Sequence, residues 1–305
     1  MILGERDPEV KAGVQDVDMS GQTVLVTGST SGVGRQAAMA MGRLGADVIV
    51  HGRDQAAGES AVRELSDLGS DAQFVAADYT SVDAVRELAA EIEAAVDQID
   101  VLCNNAGGLF EDGETTELGV DRNFHINHLS PFLLTTELLD TLAPDARVVT
   151  TASIGHRVSS LNLDTLIEPS PFSEWAAYCR SKLANIHFSN ELARRLDNAG
   201  SDVTSNSFHP GIIPGSEFSR TLPGPIQQFG DLLDEVPLTD SPEDGAATMT
   251  YLAASEEVEG TTGKYYARCR KRRPAPDARD ETAQRDLWKR SADLLDVEEP
   301  LAQYA

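Results

Sequence analysis

The chain has 305 residues, 41% of them apolar, which allows a packed core and argues against global disorder. A formal net charge of −25, from 50 acidic and 25 basic residues, repels phosphate backbones and argues against a general nucleic-acid role. Three cysteines, Cys103, Cys179 and Cys269, are odd in number and lack CxxC spacing, so neither a disulfide framework nor a zinc site is indicated.

Only five of the basic residues are lysine. Excess carboxylate with scarce lysine suits concentrated salt, where screening quenches self-repulsion, and a salt-adapted protein is expected. The opening "MILGERDPEV" meets charge within five residues and has no signal-peptide core. No apolar run approaches spanning length, so a cytoplasmic protein with no membrane span is expected.

In chain order, residues 1–20 read as a leader. "QTVLVTG" is a β-branched strand ended by glycine, and "GVGRQAAMAMGRLG" a helix. "ADVIVHG" and "AQFVAAD" are further strands, each followed by a helix, the second capped by Ser81. "IDVLCNNAG" is the fourth strand, and a helix is expected over about 117–142. "RVVTTAS" is the fifth strand, followed by a helix from the "YCRSK" stretch. "DVTSNSFHPG" is the sixth strand, 241–254 a helix and "GKYYA" a last short strand. Strands alternating with helices mean βαβ units. The expected fold is α/β: a single-domain doubly wound, Rossmann-type parallel sheet of about seven strands with helices on both faces. The boundaries are 1–20 for the leader, 21–267 for a dinucleotide-binding catalytic domain and 268–305 for a C-terminal tail packed on it. Segments 155–174 and 211–240 read as irregular, lid-like loops.

"TGSTSGVG" joins the first strand to the first helix, where glycines allow a sharp turn and helix amides suit a pyrophosphate. At the end of the second strand, "HGRD" has Gly52 where an acid would bind the ribose of NAD. Arg53 follows, and Arg35 adds a second charge near the turn. An arginine fork suits a 2′-phosphate, so NADP(H) is favoured over NAD(H). The alternative is that Arg53 is only solvated and Asp54 binds ribose.

Tyr178 and Lys182 stand at i and i+4 on a helix and share a face. An ammonium there is expected to favour the phenolate and lower the tyrosine pKa, fitting it for proton exchange.

Together these pieces resemble the short-chain dehydrogenase/reductase family over roughly residues 20–290. The matching positions are Thr27-Gly28, Gly32 and Gly34, Asp78, Asn104 to Gly107, Asn127, Ser153, Tyr178, Lys182 and Pro210-Gly211. "NHLSPFLLTTELLD", "YCRSKLANIHFSNELARRL" and "GKYYARC" before "LWKRS" resemble its retinol-dehydrogenase-like branch. The resemblance implies an oxidoreductase that exchanges a hydride between the cofactor and a small-molecule alcohol or carbonyl. Tyr178 would be the proton donor or acceptor, and Ser153 would hydrogen-bond the reacting oxygen. Lys182 would hold the nicotinamide ribose and depress the Tyr178 pKa, and Asn127 would order a relay water. The cofactor would be lined by Gly28, Thr30, Ser31, Gly32, Val33, Gly34, Arg35, Arg53, Asp78, Tyr79, Asn105, Ala106 and Gly107. Tyr178, Lys182, Pro210, Gly211 and Ile213 would complete the lining. Relatives often have a threonine after the Pro-Gly pair, but here Pro214-Gly215 stands, leaving Ser216 or the backbone near Ile213 to grip the carboxamide.

Apolar residues in the lid-like loops, among them Leu161, Leu163, Phe172, Trp175, Ile213 and Phe218, suit a lipophilic substrate or simply pack on the body. His125 and His128 flank Asn127 with no third ligand, so no metal is expected, and Cys179 reads as packing. The run "RCRKRR" is expected to pair with the carboxylates of "DARDE" and "DVEE". A NAD(H)-dependent member of the same family and a non-catalytic dinucleotide sensor remain rivals. Relatives often dimerise through helices around 115–142 and 175–199, which the tail would partly cover, so homodimer and monomer both stay open.

Overall fold

The structure is a computed structural model that describes residues 4, 6–110, 113–163, 173–211, 213 and 241–305. Eight strands form one sheet: β1 (Thr23–Val26), β2 (Asp47–Gly52), β3 (Ala72–Ala76), β4 (Ile99–Asn104), β5 (Leu142–Thr151), β6 (Thr204–Phe208), β7 (Tyr265–Ala267) and β8 (Arg270–Arg272). Their order is β3-β2-β1-β4-β5-β6-β7-β8. Every neighbouring pair is parallel except β7 and β8. Strand order reverses between β1 and β4, and a crevice at such a switch point binds ligands in open α/β sheets.

Alternation along the strands explains why both faces are covered. Val24 and Val26 point into one apolar cluster, and Leu25 into the other. The first cluster packs beneath α2 (Gly32–Arg43) and α8 (Pro242–Ala254). The second packs beneath α4 (Val82–Ala95), α6 (Ser130–Glu137) and α7 (Ser173–Asn198). α3 (Gln55–Asp67) links β2 to β3, with Asp54 capping it through Ala57 N.

The ends pack on this body. α1 (Pro8–Ala12) buries Glu9, which takes two bonds from Arg43, and Lys11 pairs with Asp244 of α8 at 2.5 Å. α9 (Glu281–Leu295) lies on α7, where Trp288 stacks on Phe188 at 5.8 Å and meets Phe132 edge-on at 4.9 Å. Arg195, fully buried, lies over Trp288 at 4.8 Å and pairs with Glu191 at 2.7 Å and Glu299 at 2.6 Å.

Four sequence expectations shift. The helix expected over 117–142 starts only at α5 (Arg122–Phe124), capped by Asp121, because residues 115–121 close a small turn through a Thr115–Asp121 bridge. It then widens into a π-turn, His125–Leu129, before α6, and β5 starts at Leu142 rather than Arg147. The strand count rises from seven to eight because the basic run turns back on β7. Arg268 and Cys269 take positive φ at the hairpin tip, and Arg270–Arg272 pair antiparallel with Tyr265–Ala267. Arg270, Lys271 and Arg273 make no ion pair among the described residues, contrary to the pairing expected with the downstream carboxylates.

Candidate active site

The crevice is stapled by Thr27. Its hydroxyl donates to Cys103 O and accepts from Asn105 N at 2.9 Å and Ala106 N at 3.0 Å. This ties the carboxyl ends of β1 and β4 together. Gly28, with φ +66, passes so near Ala106 that an added Cβ would meet its Cα at 2.8 Å. Only glycine fits that approach.

Two cavities open there and share Gly28, Ser31, Asn105 and Gly107. The first, about 200 Å³, is lined by Thr30, His51, Gly52, Arg53, Ala77, Asp78, Tyr79, Ala106, Phe110 and Ile126 as well. The second, about 320 Å³, adds Gly32, Val33, Gly34, Gly108, Leu109, Thr151, Ala152, Ser153, Tyr178, Lys182, Pro210, Gly211 and Ile213. Arg35 lines neither. Its guanidinium pairs with Glu64 at 2.7 Å and reaches the Thr30 and Ala57 carbonyls, so it braces α2 against α3. Asp54 lines neither cavity and is committed to its helix cap.

The lining fits a dinucleotide. Gly32 opens α2 with φ +58, the space where a side chain would begin is empty to 4 Å, and Ser31 makes no side-chain cap bond. Among the described residues the first-turn N–H groups of α2 have no protein partner, and they suit a phosphate. At the other end of the crevice, a Cβ at Gly52 would lie 2.6 Å from Thr30 Cγ2, so an acid has no room there. Arg53, exposed at the rim, makes no ion pair or hydrogen bond among the described residues.

Tyr178, Ser153 and Lys182 meet in the second cavity. Ser153 hydrogen-bonds the Tyr178 hydroxyl, and Lys182 Nζ lies 5.8 Å from the Tyr178 ring centroid. Lys182 Nζ donates to Thr151 O at 3.3 Å. The expected lowering of the Tyr178 pKa is not found. Burial raises it, and Ser153 only partly opposes the rise. Burial also pushes Lys182 down to about 8. Desolvation is the largest cause for both groups, so both move toward neutrality.

Asn127 stands behind the cavity on the π-turn. Its Nδ2 donates to Gly108 O and to Ser181 Oγ, each at 2.9 Å. His125 and His128 on either side are buried and held neutral by desolvation, His125 near 4 and His128 near 3. Among the described residues no cluster suits a metal ion. Cys179 packs against Gly155, where an added Cβ would be 2.9 Å from its sulfur. Trp175 stacks on Tyr178 at 5.9 Å, and Leu161 and Leu163 pack on the core. Phe172, Pro214, Gly215, Ser216 and Phe218 lie outside the described residues.

Sequence pattern gave no pointer to His51 or Thr151. His51 Nδ1 accepts from Gly28 N at 3.3 Å, and its ring stacks on Tyr79 at 4.8 Å. Burial holds it near 4, which keeps that nitrogen unprotonated and able to accept from Gly28 N. Thr151 acts through its carbonyl, which no side-chain code reveals.

A switch-point crevice with an open helix N-terminus and a Ser-Tyr-Lys cluster defines a dinucleotide-dependent oxidoreductase. A family model described as short chain dehydrogenase matches residues 22–223. Retinol dehydrogenase 13 from Homo sapiens is 38% identical over 295 residues, 92% of this chain and 86% of that protein. A crystal structure of an uncharacterised protein from Mycobacterium paratuberculosis superposes with TM-score 0.77 at 30% identity, covering 95% of this chain and 98% of that one. An NADP active-site complex of Pseudomonas aeruginosa RhlG superposes with TM-score 0.63 at 26% identity, covering 87% and 98%. The chain belongs to the short-chain dehydrogenase/reductase family, in its retinol-dehydrogenase-like branch. Among the described residues no helix is long and apolar enough to cross a membrane.

Proposed function

We propose that the protein uses NADP(H) to interconvert a lipophilic alcohol and its carbonyl. The observation that carries this reading is the shared cavity of Ser153, Tyr178, Lys182 and the Gly28–Gly34 turn. A bound nicotinamide supplies or takes the hydride. Ser153 Oγ and the Tyr178 hydroxyl converge where charge develops on the substrate oxygen, and Tyr178 exchanges the proton there. Lys182 holds the ribose hydroxyls and offers a cation beside a buried phenol. Asn127 braces Gly107–Gly108 against Lys182. A water relaying protons to Lys182 would then be held by the Asn127 main chain or by the second lone pair of Oδ1.

The preference for NADP(H) rests on Arg53 at the rim, on the crowding at Gly52 and on the capping duty of Asp54. The NADP complex of RhlG supports it. The lipophilic substrate class is supported by relatives named for retinol and polyprenol. A panel of lipophilic aldehydes, ketones and alcohols, assayed with NADPH or NADP in molar KCl, tests the reading. Turnover of any of them supports it. Tight NADPH binding with no turnover across the panel would favour a dinucleotide sensor instead.

A further inference from the structure

Lys182 shares its acceptor with a second side chain. The Thr151 carbonyl receives Lys182 Nζ at 3.3 Å and Asn185 Nδ2 at 3.0 Å. Asn185 sits one helical step beyond Lys182 on α7, at i+3, so both reach the same strand end. All three residues are buried, Lys182 at 4%, Asn185 at 3% and Thr151 at 7% exposure. Asn185 Nδ2 donates to the Thr151 carbonyl, and the Asn185 side chain also meets the His128 ring.

We propose that Asn185 is a positioning residue for Lys182: by holding the Thr151 carbonyl, it fixes where the lysine ammonium sits and how strongly that carbonyl solvates it. This refines the reading of Lys182 as a working group of the active site. A carbonyl oxygen has two lone pairs. With Asn185 on one of them, the oxygen is partly spent, and Lys182 gets a weaker acceptor than it would alone. The ammonium stays poorly solvated, as the depressed lysine pKa reflects. Other titratable groups around Lys182 do not relieve this. Tyr178 is one turn back on α7 and neutral, and His128, facing Asn185 from the π-turn, is held neutral by burial. Desolvation lowers the Lys182 pKa, and no carboxylate among the described residues opposes it.

The test reads Lys182 directly, without substrate or cofactor. The chain has five lysines, Lys11, Lys182, Lys264, Lys271 and Lys289. Labelling lysine side chains with 13C at Cε gives a small set of titrating NMR signals, and Lys182→Met assigns the relevant one. Asn185→Leu frees the Thr151 carbonyl for Lys182, and Asn185→Asp puts a carboxylate beside it. Both are expected to move the Lys182 titration to higher pH, the Asp variant by about one pH unit or more, a tenfold change in its deprotonated fraction. Circular dichroism and Tm identify which variants are folded, and the Leu variant serves if Asp does not fold. An unchanged or downward Lys182 titration in a folded variant overturns the proposal. Because no turnover enters, this outcome is separate from failure of the enzymatic reading, which the substrate panel decides.

Discussion

Asn127 grips Gly108 by both of its backbone groups: Oδ1 accepts from Gly108 N and Nδ2 donates to Gly108 O, each at 2.9 Å. The neighbouring Gly107 has φ +150, and an added Cβ would lie 2.4 Å from Asn127 Oδ1 and 3.4 Å from Lys182 Nζ. Gly107→Ala is therefore expected to break this clamp. Strain and a lost buried hydrogen bond together should cost about 2–4 kcal/mol of stability. Thermal unfolding checks it, and a variant as stable as the parent would show that the loop has another way to relax.

Tyr178→Phe removes the phenol oxygen and keeps the ring stacked against Trp175. Dinucleotide binding should persist while turnover falls about 10²–10⁴-fold, the usual worth of a placed acid–base group. Fluorescence titration with NADPH reports the first and steady-state rates the second. Near-parental turnover would remove Tyr178 from the chemistry.

Arg53→Ala should raise the KM for NADPH about tenfold, equivalent to about 1.4 kcal/mol, while moving that for NADH less than twofold. The effect should shrink in molar salt, since the guanidinium is exposed and screened. Equal changes for both cofactors would mean that Arg53 does not read the 2′-phosphate, and NADH would become the stronger reading.

All six histidines are buried. Burial holds His51, His125 and His156 near 4 and His128 and His209 near 3, and lowers His187 as well. In the unfolded chain they titrate near 6.5, so between that pH and about 4 the unfolded state binds more protons. Stability should then be constant above about pH 7 and fall as pH drops toward 5. Each histidine contributes up to about 1.4 kcal/mol per pH unit within that window. Melting curves in molar KCl at pH 7.5, 6.5 and 5.5 test this, with salt suppressing the carboxylate repulsion. A Tm that does not move would mean these rings find protons or partners on folding.

Much of this molecule could be read from letters because the signals were local. β-branched runs with turn glycines marked β1 to β6, and the Tyr178–Lys182 spacing put two side chains on one helical face. Where tertiary partners decide, letters were silent or misleading. Arg35 looked free to meet a phosphate, but Glu64, 29 residues downstream, holds it. The Tyr178 pKa was expected to fall from a nearby charge, but burial, which no spacing reports, raises it. The basic run pairs as strand β8 because a two-residue left-handed turn folds it back, and neither Arg268 nor Cys269 advertises positive φ. Thr151 and Asn185 were invisible for a similar reason: one works through its backbone, the other through a contact 34 residues away in sequence.

Trp288 on α9 leans on Phe132 and Phe188, which belong to the two helical segments that also deliver Asn127 and Lys182. Helix α9 is thus a back-plate for the reaction chamber. Clipping it by a protease, or trimming it for crystallography, would loosen the very helices that aim the chemistry. An engineer seeking a minimal version of this enzyme should shorten it elsewhere.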